Sequence, residues 1–217
     1  MGETIQVPLK IGIQQEAQQA AVLFEAFAHA LIQAPTEDSA NSMESLIACC
    51  GEPVEHCPVE QWKRSYASRF VLASSQSYIP LREGILRGID ITDAHWERGT
   101  GSNRYAVHAV NCYRKAKFAY ENVGKASPLA GCLHPDHLAV ELAFAGYLNH
   151  RIAYAPTEED YRQWMMFAVS FTEDHLLFTT ERTALIAATT PSDVYKHLLL
   201  ACNRWTGAWL QQFKESS

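Results

Sequence analysis

The sequence has no apolar run long enough to span a membrane and no surplus of positive charge. A membrane helix needs about 20 apolar residues in succession, whereas the apolar stretches here are short, as at residues 20–24 and 198–202. Lys10 is the only basic residue before Lys63, and no apolar block with a small-residue cleavage site follows Met1, so we expect no export signal. The net charge of −6 argues against nucleic acid. The sequence therefore predicts a cytoplasmic protein without a membrane span or a nucleic-acid partner.

Strand signals are also scarce. Few stretches alternate apolar and polar residues, and no Asn-Gly or Asp-Gly hairpin turn occurs. Apolar residues instead recur at helical spacing. They predict helices over residues 14–33, 59–72, 81–86, 105–122, 135–151, 158–180 and 191–213, and a further helix that Ser39 or Ser42 caps and that runs through Met43 and Ile47. We expect an all-α protein, a helical bundle with one domain over residues 1–217.

Motifs for catalysis and nucleotide binding are missing. No Gly-x-Ser-x-Gly elbow occurs, and Cys132 near His134 and His137 does not make a catalytic arrangement by closeness in sequence alone. Residues 99–102 are glycine-rich but lack the Lys-Ser/Thr ending of a phosphate loop, so they are interpreted as part of a long loop over residues 88–102. The protein is not expected to be an enzyme or to hold a cofactor.

The six cysteines do not suggest a disulfide framework. Such frameworks belong to short secreted chains, and here the spacing is scattered. The cysteines are Cys49, Cys50, Cys57, Cys112, Cys132 and Cys202. Three of them form, with His56, the one local group of metal-ligand residue types, yet the spacing matches no zinc motif. We interpret that group as a loop between helices and the thiols as reduced.

The segment from His134 to Leu142 is the best candidate in the sequence for a site that carries chemistry. Pro135 suits the first turn of a helix, and Asp136 would lie in that turn, near the positive end of the helix dipole. His137 and Glu141 are four residues apart and hence on one helix face. Three interpretations stay open: a metal site formed by His134, His137 and Glu141, as in a metal-dependent enzyme; a structural helix start; and the edge of a groove that binds a ligand.

Aromatic residues form a second pattern. Trp62, Tyr66 and Phe70 follow one another at intervals of four. Such a stripe is usually part of a core, but in a small α protein it can also line a groove for a partner segment.

Four segments, taken in order, resemble the TorD/DmsD/NarJ family of redox-enzyme maturation chaperones. Residues 66–70 resemble the family's Tyr-x-x-Leu-Phe, although Arg69 replaces the leucine, and residues 79–84 resemble its proline-containing loop. Residues 134–148 resemble Glu-Pro-Asp-His-Leu-x-x-Glu-Leu-x-Phe-x-x-x-Leu, with His134 in place of the first glutamate. Residues 171–176 resemble Phe-Leu-x-x-His-Leu. The resemblance covers roughly residues 60 to 215.

This resemblance implies a cytoplasmic chaperone, a monomer or domain-swapped dimer without a cofactor or a bound metal. Its partner would be the twin-arginine signal peptide, or an N-terminal segment, of a molybdopterin oxidoreductase, which it would hold until cofactor loading. By position, the family's peptide groove would be lined by Tyr66, Phe70, Pro80 and Leu81, with Asp136, His137 and Glu141 at its rim. A plain helical interaction module is the remaining alternative.

Overall fold

Helices make up nearly all the regular structure of the residues described. The computed structural model describes residues 11–89, 102–125 and 133–214. The α-helices of these ranges are α1 (Ile11–Ile32), α2 (Glu37–Cys49), α3 (Val59–Tyr66), α4 (Glu83–Leu86), α5 (Arg104–Ala116), α6 (Leu138–Ala153), α7 (Glu158–Phe171), α8 (Leu177–Ala188) and α9 (Val194–Lys214). One π-helical turn, Ala67–Val71, follows α3, and a second, Thr172–Leu176, joins α7 to α8. The all-α prediction is confirmed.

Most predicted helices are present, but several ends differ. Thr36, and not Ser39 or Ser42, is the N-cap of α2: its hydroxyl accepts from the backbone of Ser39, whose own hydroxyl accepts from the Thr36 backbone. The helix predicted to reach Asn122 ends at Ala116, because Lys117 adopts a left-handed conformation with φ 59°. Most of the loop predicted over residues 88–102 lies outside the described residues, as does Cys132.

The start of α6 requires a larger correction. Pro135 and Asp136 do not lie in its first turn, because the helix begins at Leu138 with His137 as its N-cap. The preceding backbone is held by a short antiparallel bridge: Glu83 N donates to Asp136 O at 2.8 Å, and Leu138 N donates to Leu81 O at 2.7 Å. These tertiary hydrogen bonds keep the residues before Leu138 out of the helix.

One continuous apolar core joins the helices. It is built around α1 and α6, which pack along each other at close range. Gly146 permits this approach, since a β-carbon there would lie 3.2 Å from the carbonyl oxygen of Ala21. The α9 helix adds Trp209 and Phe213 to the core. None of the described helices combines the length and the apolar character needed to cross a membrane.

Candidate functional site

Asp136 links the turn before α6 to α4. One carboxyl oxygen accepts from Gly84 N at 2.9 Å, and the other accepts from Arg82 Nε at 3.2 Å and lies against His134 Nδ1. Gly84 makes this possible, because a β-carbon at that position would lie 2.9 Å from the Asp136 carboxylate and 2.3 Å from the Ser102 carbonyl oxygen. The carboxylate therefore has its partners within the chain.

The expected acidic rim at Asp136 consequently needs correction. The side chain is fully buried, and its carboxylate already pairs with Arg82 of the same chain. Leu81 and Pro80 are buried as well. These residues fasten the turn to the bundle; whether they also contact a peptide stays a prediction.

His137 is part buried and acts as the cap of α6. Its Nδ1 accepts from Ala139 N at 3.2 Å, which requires that nitrogen to be unprotonated. Burial lowers the pKa of His137 to about 4. Among the described residues, the groups of His, Cys, Asp and Glu that converge within metal-binding distance include neither His134 nor His137. The structure does not bring together the metal site considered for His134, His137 and Glu141.

Glu141 turns instead into the interior, toward α4 and the π turn. It is fully buried, and neither of its carboxyl oxygens has a hydrogen-bond partner among the described residues. Burial, followed by the charge of Glu83, raises the pKa of Glu141 well above its usual range. Glu141 is thus a residue of the interior rather than of an exposed rim.

Glu83 and His175 form the centre of this interior group. His175 Nδ1 lies 2.6 Å from Glu83 Oε2, and Arg87 Nε donates to Glu83 Oε1 at 2.7 Å. Burial by itself lowers the pKa of His175, but hydrogen bonds to Cys112 and Glu83 and nearby negative charge raise it to about 10. We call Glu83, Arg87, Glu141 and His175 the Glu83 cluster.

Two side chains of α5 extend the cluster toward solvent. His108 Nδ1 lies 2.6 Å from His175 Nε2, and the two rings stack with centroids 4.9 Å apart. Cys112, one helical turn further along α5, is buried and unoxidised, and its Sγ lies within 4.8 Å of ligand atoms of both histidines. His108 is exposed, so this edge of the cluster is open to solvent.

Tyr66 and Phe70 lie in a different group, against α9. Their rings are 5.6 Å apart, and the ring of Tyr195 packs on both of them. The Tyr66 hydroxyl donates to Ile32 O at 3.0 Å, so this residue belongs to the core. Phe70 is half-buried, and Val71 and Leu72 beyond it are more than half exposed. The Tyr66 and Phe70 rings therefore contact α9, whereas the Asp136 carboxylate contacts α4.

Arg69 has a role that the sequence did not reveal. It is fully buried in the π turn after α3, where Nε donates to Asp193 Oδ2 at 2.8 Å, Nη2 donates to Pro191 O at 2.7 Å, and Nη1 donates to the Thr190 hydroxyl. Asp193 also accepts from Lys196 N in the first turn of α9. We call these contacts the Arg69 anchor; they fasten the end of α3 to the start of α9.

His56 and Cys57 lie in a loop, as expected, but Cys49 is the last residue of α2 and Cys50 is its C-cap; within the described residues the four side chains do not converge on a metal position. Glu44 organises it: Oε2 lies 3.0 Å from His56 Nδ1, and Oε1 accepts from Cys57 N at 3.1 Å. The loop borders an open groove of about 640 Å³ whose walls are residues 53–58 with Gln61 and residues 192–194 with His197.

Sequence reasoning placed the polar site within one segment, whereas the structure assembles it from α4, α5, α6 and the second π turn. His108 and Cys112, four residues apart on α5, were the available signal for its outer edge. Nothing in the spacing could join them to Glu83 or to His175. Comparison with known protein families, with curated proteins and with solved structures found no match to this chain.

Proposed function

We propose that this protein is a chaperone that holds a basic, apolar segment of a client protein, the twin-arginine signal peptide or N-terminal segment of a molybdopterin oxidoreductase. The family resemblance supplies the class of client. The observation that supports it in the structure is an acidic, apolar-lined groove beside α3.

The groove between residues 53–61 and 192–197 suits an extended segment in size and chemistry. Pro53, Val54 and Pro58 provide apolar walls, and Glu55 provides an exposed carboxylate, whereas the Asp193 carboxylate in the same wall is already paired with Arg69. A second groove of about 410 Å³ lies on the other side of the same loop and adds Glu37 and Glu60. An apolar stretch can pack on the walls, while guanidinium groups pair with the carboxylates.

Charge is distributed unevenly along the chain in a way that favours a basic partner. Residues 11–62, which supply α1, α2 and most of the loop beside the groove, contain eight Asp or Glu and no Lys or Arg. Such a surface attracts cationic segments and speeds their association. Because ordering the peptide offsets part of the binding energy, we expect micromolar affinity.

The aromatic residues predicted for the family groove lie close to this surface along the chain. Tyr195 follows the wall residue Val194 and packs on Tyr66 and Phe70. The exposed side chains of Val71 and Leu72 then offer a further apolar contact at the end of the π turn. A guest peptide could run from the acidic groove toward these residues.

The test is a titration of the full chain with a synthetic peptide that carries two adjacent arginines followed by about ten apolar residues, read by calorimetry. We expect the double variant Glu37→Gln/Glu55→Gln to bind about threefold to tenfold more weakly, because both carboxylates are exposed and each pair contributes little. A peptide with both arginines replaced by alanine should lose a similar amount, and added salt should reduce the difference.

Glu181→Gln is the matched control, since Glu181 is an exposed carboxylate on α8, outside the groove. Asp136 is unsuitable, because a substitution there removes internal hydrogen bonds. The proposal fails if the unaltered protein does not bind the peptide, or if Glu181→Gln weakens binding as much as the double variant does.

A further inference from the structure

We propose that His108, Cys112 and His175 bind a zinc ion at the open edge of the Glu83 cluster. Their ligand atoms, two imidazole nitrogens and one thiol sulfur, lie within 4.8 Å of one another. Two histidines and a cysteine are a ligand set that Zn²⁺ accepts, with a fourth position left for water or another ligand. This inference does not depend on the proposed peptide binding.

The local structure explains how the three side chains converge. His108 and Cys112 are four residues apart on α5 and therefore share a face of that helix. His175 comes from the π turn between α7 and α8, and π turns often occur at functional sites because they change the direction in which a side chain points. Phe171 stacks on the His175 ring with centroids 5.0 Å apart and helps to fix its plane.

Glu83 gives His175 the orientation that a zinc ligand needs. A metal-binding imidazole usually donates its other N–H to a carboxylate, which fixes the tautomer and strengthens the ligand. Here Nδ1 lies 2.6 Å from Glu83 Oε2, which leaves Nε2 directed at His108. Arg87 holds the other Glu83 oxygen and also donates to Asp174 O at 3.0 Å. Glu83 is thus a positioning residue rather than a ligand.

The spacing requires only a small movement at the exposed residue. His108 Nδ1 and His175 Nε2 are 2.6 Å apart, whereas two nitrogens bound to one tetrahedral zinc ion are about 3.3 Å apart, given bonds of about 2.0 Å. Rotation of the exposed His108 side chain can supply the difference, while the buried His175 and Cys112 stay in place. Zinc would then replace the proton between the two imidazoles and the proton of the thiol.

A cobalt titration of the full chain, after removal of metals with a chelator and with the thiols kept reduced, tests this inference. Co²⁺ reports a bound thiolate through a sulfur-to-metal charge-transfer absorption in the near ultraviolet, and Zn²⁺ should displace it. We expect one ion per chain, a loss of the charge-transfer band in Cys112→Ser, and at least about tenfold weaker binding in His108→Asn. His108 is exposed, so that variant should fold.

Two further variants distinguish the proposed site from others. Glu83→Gln should weaken the affinity by about tenfold or more but keep the band, because the thiolate remains a ligand. Cys49→Ser should leave both affinity and band unchanged, although Cys49 is the most accessible of the described thiols. A failure to bind Co²⁺ or Zn²⁺, an undiminished band in Cys112→Ser, or an effect of Cys49→Ser as large as that of His108→Asn would each overturn the proposal.

Discussion

The Arg69 anchor and the Glu83 cluster both bury charged groups, but they satisfy them to different extents. At the anchor, each guanidinium nitrogen of Arg69 has an oxygen partner, and Asp193 also caps the start of α9. In the cluster, Glu83 has two cationic neighbours, whereas Glu141 is buried beside it with neither oxygen paired within the described part of the chain. A buried polar group without a partner costs free energy.

This difference distinguishes a purely structural contact from a site whose side chains can still bind a ligand. The anchor joins the end of α3 to the start of α9, and all three guanidinium nitrogens of Arg69 already have an oxygen partner. The Glu83 cluster contains an unpaired acid and, together with the adjoining His108 and Cys112 of α5, brings two stacked histidines and a thiol into one place. His108 reaches solvent. Perturbed titratable groups that gather in this way are typical of functional sites, although ion-pair networks also produce them.

The largest expected effect comes from breaking the anchor. Arg69→Met should lower the free energy of unfolding by about 3 kcal/mol, because it leaves the Asp193 carboxylate and the Thr190 region without their buried cation. Lys63→Met is the matched control on α3, since the Lys63–Glu60 pair is exposed and should contribute far less to the free energy of unfolding. Urea unfolding measures both. Equal losses in the two variants would show that the anchor is no stronger than a surface pair.

A smaller effect, of opposite sign, is expected in the cluster. Glu141→Met should raise the free energy of unfolding by about 1–2 kcal/mol, because a side chain of similar length replaces a buried carboxyl group without hydrogen bonds. Glu83→Met should instead be destabilising, since it leaves Arg87 and His175 without their shared carboxylate. Urea unfolding with a chelator present excludes any contribution of metal. If Glu141→Met destabilises the protein, the two regions are more alike than their hydrogen bonds indicate.

The sequence was sufficient to predict the helices but not to predict which partners their polar residues contact. Apolar spacing located the long helices α1, α6 and α9 because burial of one face is a local property of the sequence. The ends of these helices depend on tertiary contacts that the spacing of apolar residues does not reveal, such as the hydrogen bond from Leu138 N to the distant Leu81 O. Because of that bridge, Asp136 lies outside the helix and makes a buried contact with Arg82.

The limit of prediction from the sequence is clearer still for the polar site. Glu83 and His175 are 92 residues apart in the chain and meet because α4 packs against α8, which directly follows the π turn of His175. Arg69 could be recognised as unusual, since it replaces a leucine in the resembled motif, but its partners are more than 120 residues away. Residue types therefore suggested where chemistry was possible, whereas the fold determined which of them meet.

The smallest effect concerns His137, which belongs to neither region and caps α6. The unfolded imidazole takes up a proton near pH 6.5, whereas burial lowers the folded pKa to about 4, so stability should decline as the pH falls from 7 toward 4. Because the ring is only part buried, we expect a loss of about 1 kcal/mol between pH 7 and pH 5 from this group. His137→Asn keeps an acceptor for Ala139 N without titrating and should flatten the decline in thermal unfolding midpoints. His29→Asn, which removes an exposed histidine from α1, should leave the wild-type decline unchanged. A decline that is equally steep in His137→Asn would contradict this prediction, because the acid sensitivity would then come from other groups.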